Sequence, residues 1–267
     1  PKPKEKGLYL IKTDHIPIKE MILNSPGFLQ YFSGVHLSAD YFERTDQRVV
    51  ESEAAYLKRM KLKLIVDFTP MLNHYPDLSV FRNLPDKYEE TMERIRRIVQ
   101  KASCCDTTAL IFSLHCNAEC NIPIAEAEEQ FIDFVREVCG IAEAHGLNIY
   151  FQNRPSFIET EQLYSLVQAN FPSINFVYNT SFGICADESY DELSQAADQN
   201  GLIISAPCED CFGQMYQASL PVWNSRYADR IKKLFSLRKT KGFDFVSLAG
   251  NYSCDNELYA DLKFLLE

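Results

Sequence analysis

No run of about 20 apolar residues occurs in the 267-residue chain, so no transmembrane helix is expected. A signal-peptide pattern is missing as well. Basic residues are in deficit: the formal net charge is -10, which disfavours phosphate backbones and anionic membrane surfaces as partners. Two basic runs stand out, Lys58-Arg59-Met60-Lys61 and Lys232-Lys233 with Arg238-Lys239-Thr240-Lys241. Both fall where helices are expected and read as solvated helix faces, so neither nucleic acid nor membrane is expected as a partner. A regular cysteine framework is also absent. Nine cysteines is an odd number at irregular spacing, which points to a reducing, cytoplasmic compartment and mostly free thiols; a secreted protein with a few bridges is the alternative. A glycine-rich phosphate loop is missing too. The turn after the first apolar run reads Lys12-Thr13-Asp14-His15, which argues against an open, doubly wound dinucleotide-binding sheet.

Hydrophobic residues make up 46% of the chain and charged residues 24%, enough to bury a large core. Short apolar runs alternate with longer amphipathic segments. The runs are Gly7–Ile11, Gly34–Leu37, Leu62–Phe68, Ala109–Leu114, Leu147–Phe151, Ile174–Tyr178, Leu202–Ser205 and Phe243–Leu248. Rich in Val, Ile, Leu and Phe, they read as parallel strands buried on both faces. Helices are expected at Ile18–Tyr31, Gln47–Met60, Tyr88–Lys101, Ala125–Ala144, Thr160–Ala169, Ser189–Gln199, Asn224–Arg238 and Asn256–Leu266. In Tyr88–Lys101, for example, Met92, Ile95, Ile98 and Val99 recur at helical spacing. His145-Gly146, Asn200-Gly201 and Lys241-Gly242 read as helix stops ahead of the next strand. Eight strand–helix units of about 33 residues each predict a single (β/α)8 barrel over residues 7–267. The opening Pro1-Lys2-Pro3-Lys4-Glu5-Lys6 reads as a linker, leaving room for an upstream domain or a removed leader.

In such a barrel the strand carboxyl ends and the loops after them build the site. The polar residues expected there are Lys12, Asp14, His15, Asp40, Asp67, Thr69, His115, Cys116, Gln152, Asn153, Arg154, Asn179, Thr180, Cys208, Glu209, Asp210, Asn251 and Tyr252. From Leu147 onward, these strand ends resemble the xylose-isomerase-like superfamily of sugar isomerases and epimerases. Those barrels carry a Glu ending strand 5, an Asp-Thr-Gly-His-like turn after strand 6, a His-Leu-Lys-Asp-like turn after strand 7 and a Glu ending strand 8. Here the corresponding stretches are Tyr150-Phe151-Gln152-Asn153, Asn179-Thr180-Ser181-Phe182, Pro207-Cys208-Glu209-Asp210 with Gly213, and Val246-Ser247-Leu248-Ala249-Gly250. The closing Tyr259-Ala260-Asp261-Leu262-Lys263-Phe264-Leu265 resembles that superfamily's last helix.

On this register the superfamily's metal ligands Glu, Asp, His and Glu become Gln152, Asn179, Pro207 and Ala249, and its second-turn His becomes Phe182. A divalent cation needs anionic oxygens or imidazole nitrogens, which these residues lack. The resemblance therefore implies a sugar isomerase/epimerase-like barrel that has lost its metal centre, with no divalent metal or other cofactor expected. Such a barrel would bind a carbohydrate-like ligand through Lys12, Asp67, Gln152, Arg154, Asn179 and Asp210, or act as an accessory domain of a longer protein. The alternative is an active isomerase, lyase or glycoside hydrolase using Asp67, His115, Glu209 and Asp210.

Each of these residues also has a plainer reading. Asp67 could organise its loop, His115 could be a satisfied structural histidine, and Arg154 could pair with Asp210 or Glu159. Tyr41, Phe68, Phe182, Trp223 and Tyr252 could stack on a sugar or simply pack. Cys208-x-x-Cys211 has a spacing seen in zinc and redox sites, but a single such pair more often means inert thiols.

Overall fold

The computed structural model describes residues 7–12, 17–25, 27–113, 122–153, 160–185, 192–209, 215–249, 252 and 255–267. Along them the strands are β1 (Leu8–Lys12), β2 (Gly34–Ser38), β3 (Lys63–Asp67), β4 (Thr107–Ser113), β5 (Asn148–Gln152), β6 (Asn175–Asn179), β7 (Gly201–Ile204), β8 (Ala206–Glu209), β9 (Met215–Leu220) and β10 (Phe245–Leu248). The helices are α1 (Ile18–Asn24), α2 (Phe28–Tyr31), α3 (Asp40–Arg44), α4 (Gln47–Met60), α5 (Thr69–His74), α6 (Pro85–Ser103), α7 (Ile124–Ala144), α8 (Thr160–Asn170), α9 (Thr180–Cys185), α10 (Glu192–Ala197), α11 (Ala228–Ser236) and α12 (Asp255–Leu266). Eight strands form a closed barrel in the order β1-β10-β7-β6-β5-β4-β3-β2, the expected (β/α)8 arrangement. The apolar runs became strands because both faces of a parallel strand are covered: Leu64, Ile65 and Val66 are fully buried, as are Leu202 and Ile204.

The chain packs as two compact units. One comprises the described parts of residues 17–19 and 37–175, and holds β3, β4 and β5. Its ladders run Asp67↔Ile111 and Ser113↔Gln152, with a register shift in β3 between Leu64 and Ile65. A layer of phenylalanines packs the strands onto α7. Phe68 stacks on Phe112 with ring centroids 4.6 Å apart, Phe112 meets Phe134 edge-on, and Phe151 meets Phe131 edge-on. Helix α4 matches its expected bounds because both ends carry explicit signals. Asp46 accepts a hydrogen bond from the Arg48 N–H at 2.9 Å, and Lys61 closes the helix in the left-handed conformation with φ 56°. Helix α6 begins at Pro85, where a proline costs no hydrogen bond.

The other unit comprises the described parts of residues 1–16, 20–36 and 176–267. Here β10 lies between β1 and β7, paired as Leu8↔Val246 and Leu248↔Ile204, and β7 pairs β6 as Asn179↔Ile203. Asp261 of α12 is fully buried and accepts three hydrogen bonds, from the Val222 N–H at 2.8 Å, the Trp223 N–H at 2.6 Å and the Tyr252 hydroxyl at 2.8 Å. Burial raises its carboxyl pKa, a push these three donors partly oppose.

Several expectations need correction. The helix expected over Ile18–Tyr31 is broken into α1 and α2. Gly27 sits between them at φ 100°, and a Cβ there would lie 3.0 Å from the Tyr259 hydroxyl. The helix expected over Asn224–Arg238 is a 3-10 turn at Val222–Asn224, then α11, then a second 3-10 turn at Leu237–Lys239. The second basic run is therefore not one helix face, since Arg238 and Lys239 lie in the terminal turn and Lys241 beyond it. Residues Ala206–Glu209, expected as loop, pair antiparallel with β9 as a hairpin outside the barrel.

Gly201 begins β7 where the Phe245 ring lies over it; a Cβ would come within 2.8 Å of that ring. Phe245 is itself buried and edge-on to Tyr9, so the ring has little room to yield. Gly201→Ala should therefore destabilise the protein by about 1–3 kcal/mol, read from the shift in a urea unfolding midpoint at constant slope.

Candidate functional site

In the unit holding β3 to β5, side chains alternate across the sheet. Phe112 and Phe151 face α7, so Ser113 and Gln152 face the other way at the carboxyl ends of β4 and β5. Asp67, in register with Ile111, ends β3 on that same face. Its Oδ1 accepts from the Thr69 N–H at 2.8 Å, which fixes the turn into α5. The side-chain amide of Gln152 donates to both Asp67 oxygens, at 3.4 and 3.3 Å, and to the Thr69 hydroxyl. Gln152 and Thr69 are buried, and Asp67 is partly exposed. The orientation of the amide follows from chemistry: an ionised carboxylate offers only lone pairs, so the NH2 end must face it. Asp67, Thr69 and Gln152 thus form a cluster, and Asn153 follows at the same strand end, also buried. The loop-organising role weighed for Asp67 is present, alongside its contact with Gln152.

The unit holding β6, β7 and β10 carries a second polar cluster at the carboxyl ends of its strands. Asn179 Oδ1 accepts from the Ser181 N–H at 3.1 Å and the Ser205 hydroxyl at 3.0 Å. Thr180 and Ser205 exchange a pair of bonds: the Thr180 hydroxyl donates to the Ser205 carbonyl at 2.6 Å and accepts the Ser205 N–H at 2.9 Å. All four residues are buried. Sequence reasoning missed Ser205 because it counted that residue as the last of the apolar run Leu202–Ser205 and looked for polar groups only beyond it. It also missed buried His36 of β2, whose Nδ1 lies 2.9 Å from the hydroxyl of buried Ser247 on β10. No motif marks His36, and only the alternation of a strand buried on both faces could have pointed to it.

The remaining expected site residues are placed as follows. Pro207 sits in β8, Ala249 is buried just after β10, and Asp40 opens α3. Phe68 is fully buried in the phenylalanine layer, so packing is its role. Trp223 is 44% exposed, while Phe182, Tyr41 and Tyr252 are half-buried. Asp14, His15, His115, Cys116, Arg154, Asp210, Cys211 and Asn251 lie outside the described residues, as do the side chains of Lys12, Cys208 and Glu209. Among the described residues, Cys104, Cys105, Cys139 and Cys185 are free thiols; burial pushes Cys105 up to about 12 and Cys139 up to about 11. Among the described residues there is no group of three or more His, Cys, Asp or Glu that could hold a metal ion. No helix among them is long and apolar enough to cross a membrane.

No protein-family model matches the chain, and no curated protein does. Solved structures do. A D-tagatose 3-epimerase-like protein superposes with a TM-score of 0.69 at 13% identity, over 97% of this chain and 98% of its own. A 3-keto-D-glucoside 4-epimerase from E. coli gives 0.69 at 11% identity, again over 97% and 98%. The IolI protein, solved with a zinc atom bound, gives 0.68 at 14% identity over 97% and 96%. The fold is the (β/α)8 barrel that these structures share. Identities this low establish the architecture and leave the chemistry to the residues.

Gln152 and Asn179 are the last residues of β5 and β6. A carboxylate at either strand end would offer a divalent cation only lone pairs. Gln152 instead turns N–H donors towards Asp67 and Thr69, and Asn179 Oδ1 already accepts two bonds. Pro207 and Ala249 offer no side-chain donor atom. None of these four residues supplies an anionic oxygen or an imidazole.

Gln152→Glu tests the electrostatics directly, because it would set two carboxylates about 3.3 Å apart where an amide now donates. Like charges this close raise one pKa, so the pair binds a proton in the folded state. Below the ordinary Glu pKa the variant should then be nearly as stable as the parent. As the pH rises through the raised pKa it should lose about 2–4 kcal/mol. Thermal unfolding of both proteins between pH 4 and pH 8 reads this out; a pH-independent difference would mean that the Gln152–Asp67 contact is not formed.

Proposed function

We propose that this protein is a sugar isomerase/epimerase-like barrel whose divalent-metal centre has been lost, and that it binds a carbohydrate-like ligand without turning it over. The observation that carries the reading is the hydrogen-bond donor that Gln152 presents to Asp67 and Thr69. A metal-assisted isomerase polarises substrate oxygens with its ion, and that chemistry requires carboxylate or imidazole ligands at the positions held here by Gln152, Asn179, Pro207 and Ala249. What these strand ends offer instead is a set of hydrogen-bonding groups suited to hydroxyls: the partly exposed Asp67 carboxylate, the Thr69 hydroxyl and the Asn153 amide. The epimerases among the superposable structures act on sugars by name, which favours a ligand of that class over other polyols.

Elemental analysis of the purified protein, followed by calorimetric titration with a ketohexose such as D-tagatose, tests the proposal. Manganese, zinc and magnesium should each be sub-stoichiometric. The sugar should bind unchanged in stereochemistry, and Asp67→Asn should weaken it by about tenfold, the worth of one charge-assisted hydrogen bond. A stoichiometric ion whose retention depends on Gln152 or Asn179 would sink the proposal. So would a reproducible epimerisation abolished by Asp67→Asn.

A further inference from the structure

The basic run near the end of the chain takes no part in the clusters above. It belongs to a cavity of about 400 Å3 lined by Gly7, Leu8, Arg238, Lys239, Lys241, Gly242, Phe243 and Val246. Gly7 immediately precedes β1, and Leu8 pairs with Val246 near the start of β10. The cavity therefore lies by the amino ends of these strands, opposite to the carboxyl ends that carry Asn179 and Ser205. Its volume is within the usual range of small-molecule sites.

Among the described residues, three of the eight that line it are cations and none of those eight is a carboxylate, in a chain where acidic residues outnumber basic ones 37 to 27. Asp244 lies next to Phe243 in sequence but is not among the lining residues. The backbone of the three cations is held in place. The Thr240 and Lys241 N–H groups both donate to the Leu237 carbonyl, at 3.0 and 2.8 Å, which sets the spacing of residues 238, 239 and 241. Arg238 also lies over the Phe235 ring, 4.1 Å from its centroid, which supports the guanidinium on one side. Gly242 leaves the wall open, since a Cβ there would meet nothing within 4 Å. Leu8, Val246 and Phe243 add apolar surface.

We propose that this cavity is an anion site that takes an organic phosphate. The dianionic head is met by Arg238, Lys239 and Lys241, and an apolar or planar body lies against Leu8, Phe243 and Val246. Phosphate suits the lining better than a carboxylate because three cations converge where a monocarboxylate brings only one charge, and guanidinium and ammonium groups both bind phosphate oxygens strongly.

Calorimetric titration of the whole chain with AMP and, separately, with inorganic phosphate provides the test. AMP should bind more tightly than inorganic phosphate and should weaken as salt is raised. Lys239 and Lys241 are exposed, so Lys239→Gln with Lys241→Gln should leave folding intact and lower AMP affinity at least tenfold. The paired Lys→Arg changes should retain it. Lys58→Gln with Lys61→Gln, in the other basic run, should leave binding unchanged, and so should Asp67→Asn. Absence of AMP binding at millimolar concentration would overturn the proposal, as would equal affinity in the Gln double variant or an equal loss from the Lys58 and Lys61 changes. Inorganic phosphate binding as tightly as AMP would overturn the assignment of an organic ligand.

Discussion

The Gln152 side chain reaches from the end of β5 to Asp67 at the end of β3, and what it carries there is a proton donor. Two carboxylates at this separation would require a cation or a shared proton between them; a carboxylate and a carboxamide require neither. The three side chains Asp67, Thr69 and Gln152 satisfy one another, and the turn into α5 is set by the same carboxylate. This one contact sets the charge and the hydrogen-bonding pattern at the ends of β3 and β5.

Strand parity separates the packing positions from the polar ones. The alternating positions of β4 and β5 that face α7 carry Phe112 and Phe151, which join the phenylalanine layer and supply the hydrophobic stabilisation. The positions of opposite parity carry Ser113 and Gln152. Exchanging a carboxylate for its amide at the second set leaves the layer untouched, so fold and chemistry can part company within one strand. Superposition on epimerases at 11 to 13% identity shows one architecture carried by largely different residues.

The barrel was legible because its signals are local and repeated. Each parallel strand, buried on both faces, shows as a short apolar run, and the helices between them show as apolar stripes such as Met92, Ile95, Ile98 and Val99. What escaped depends on partners distant in sequence. Gly27 breaks a helix because Tyr259 lies against it, and Ala206–Glu209 becomes a strand only because Met215–Leu220 pairs with it. Of the residues expected at the strand ends, Gln152 and Asn179 do close β5 and β6, and their neutrality is read directly from the amide side chains. The contact between Gln152 and Asp67, 85 residues apart, has no sequence signature. The basic run failed for a different reason: composition marks charge but not concavity, so a cavity wall and a solvated helix face look alike until the turn at Leu237–Lys239 is seen.

Asp261 gives the chain an optical consequence. Trp223 is the only tryptophan, and its backbone N–H is held by a carboxylate on the last helix, α12. The same carboxylate takes the Tyr252 hydroxyl, so two ultraviolet chromophores from separate segments share a single anchor. The protein's long-wavelength fluorescence thus arises from one indole at a known depth, and its emission maximum and anisotropy report the docking of α12 without a label.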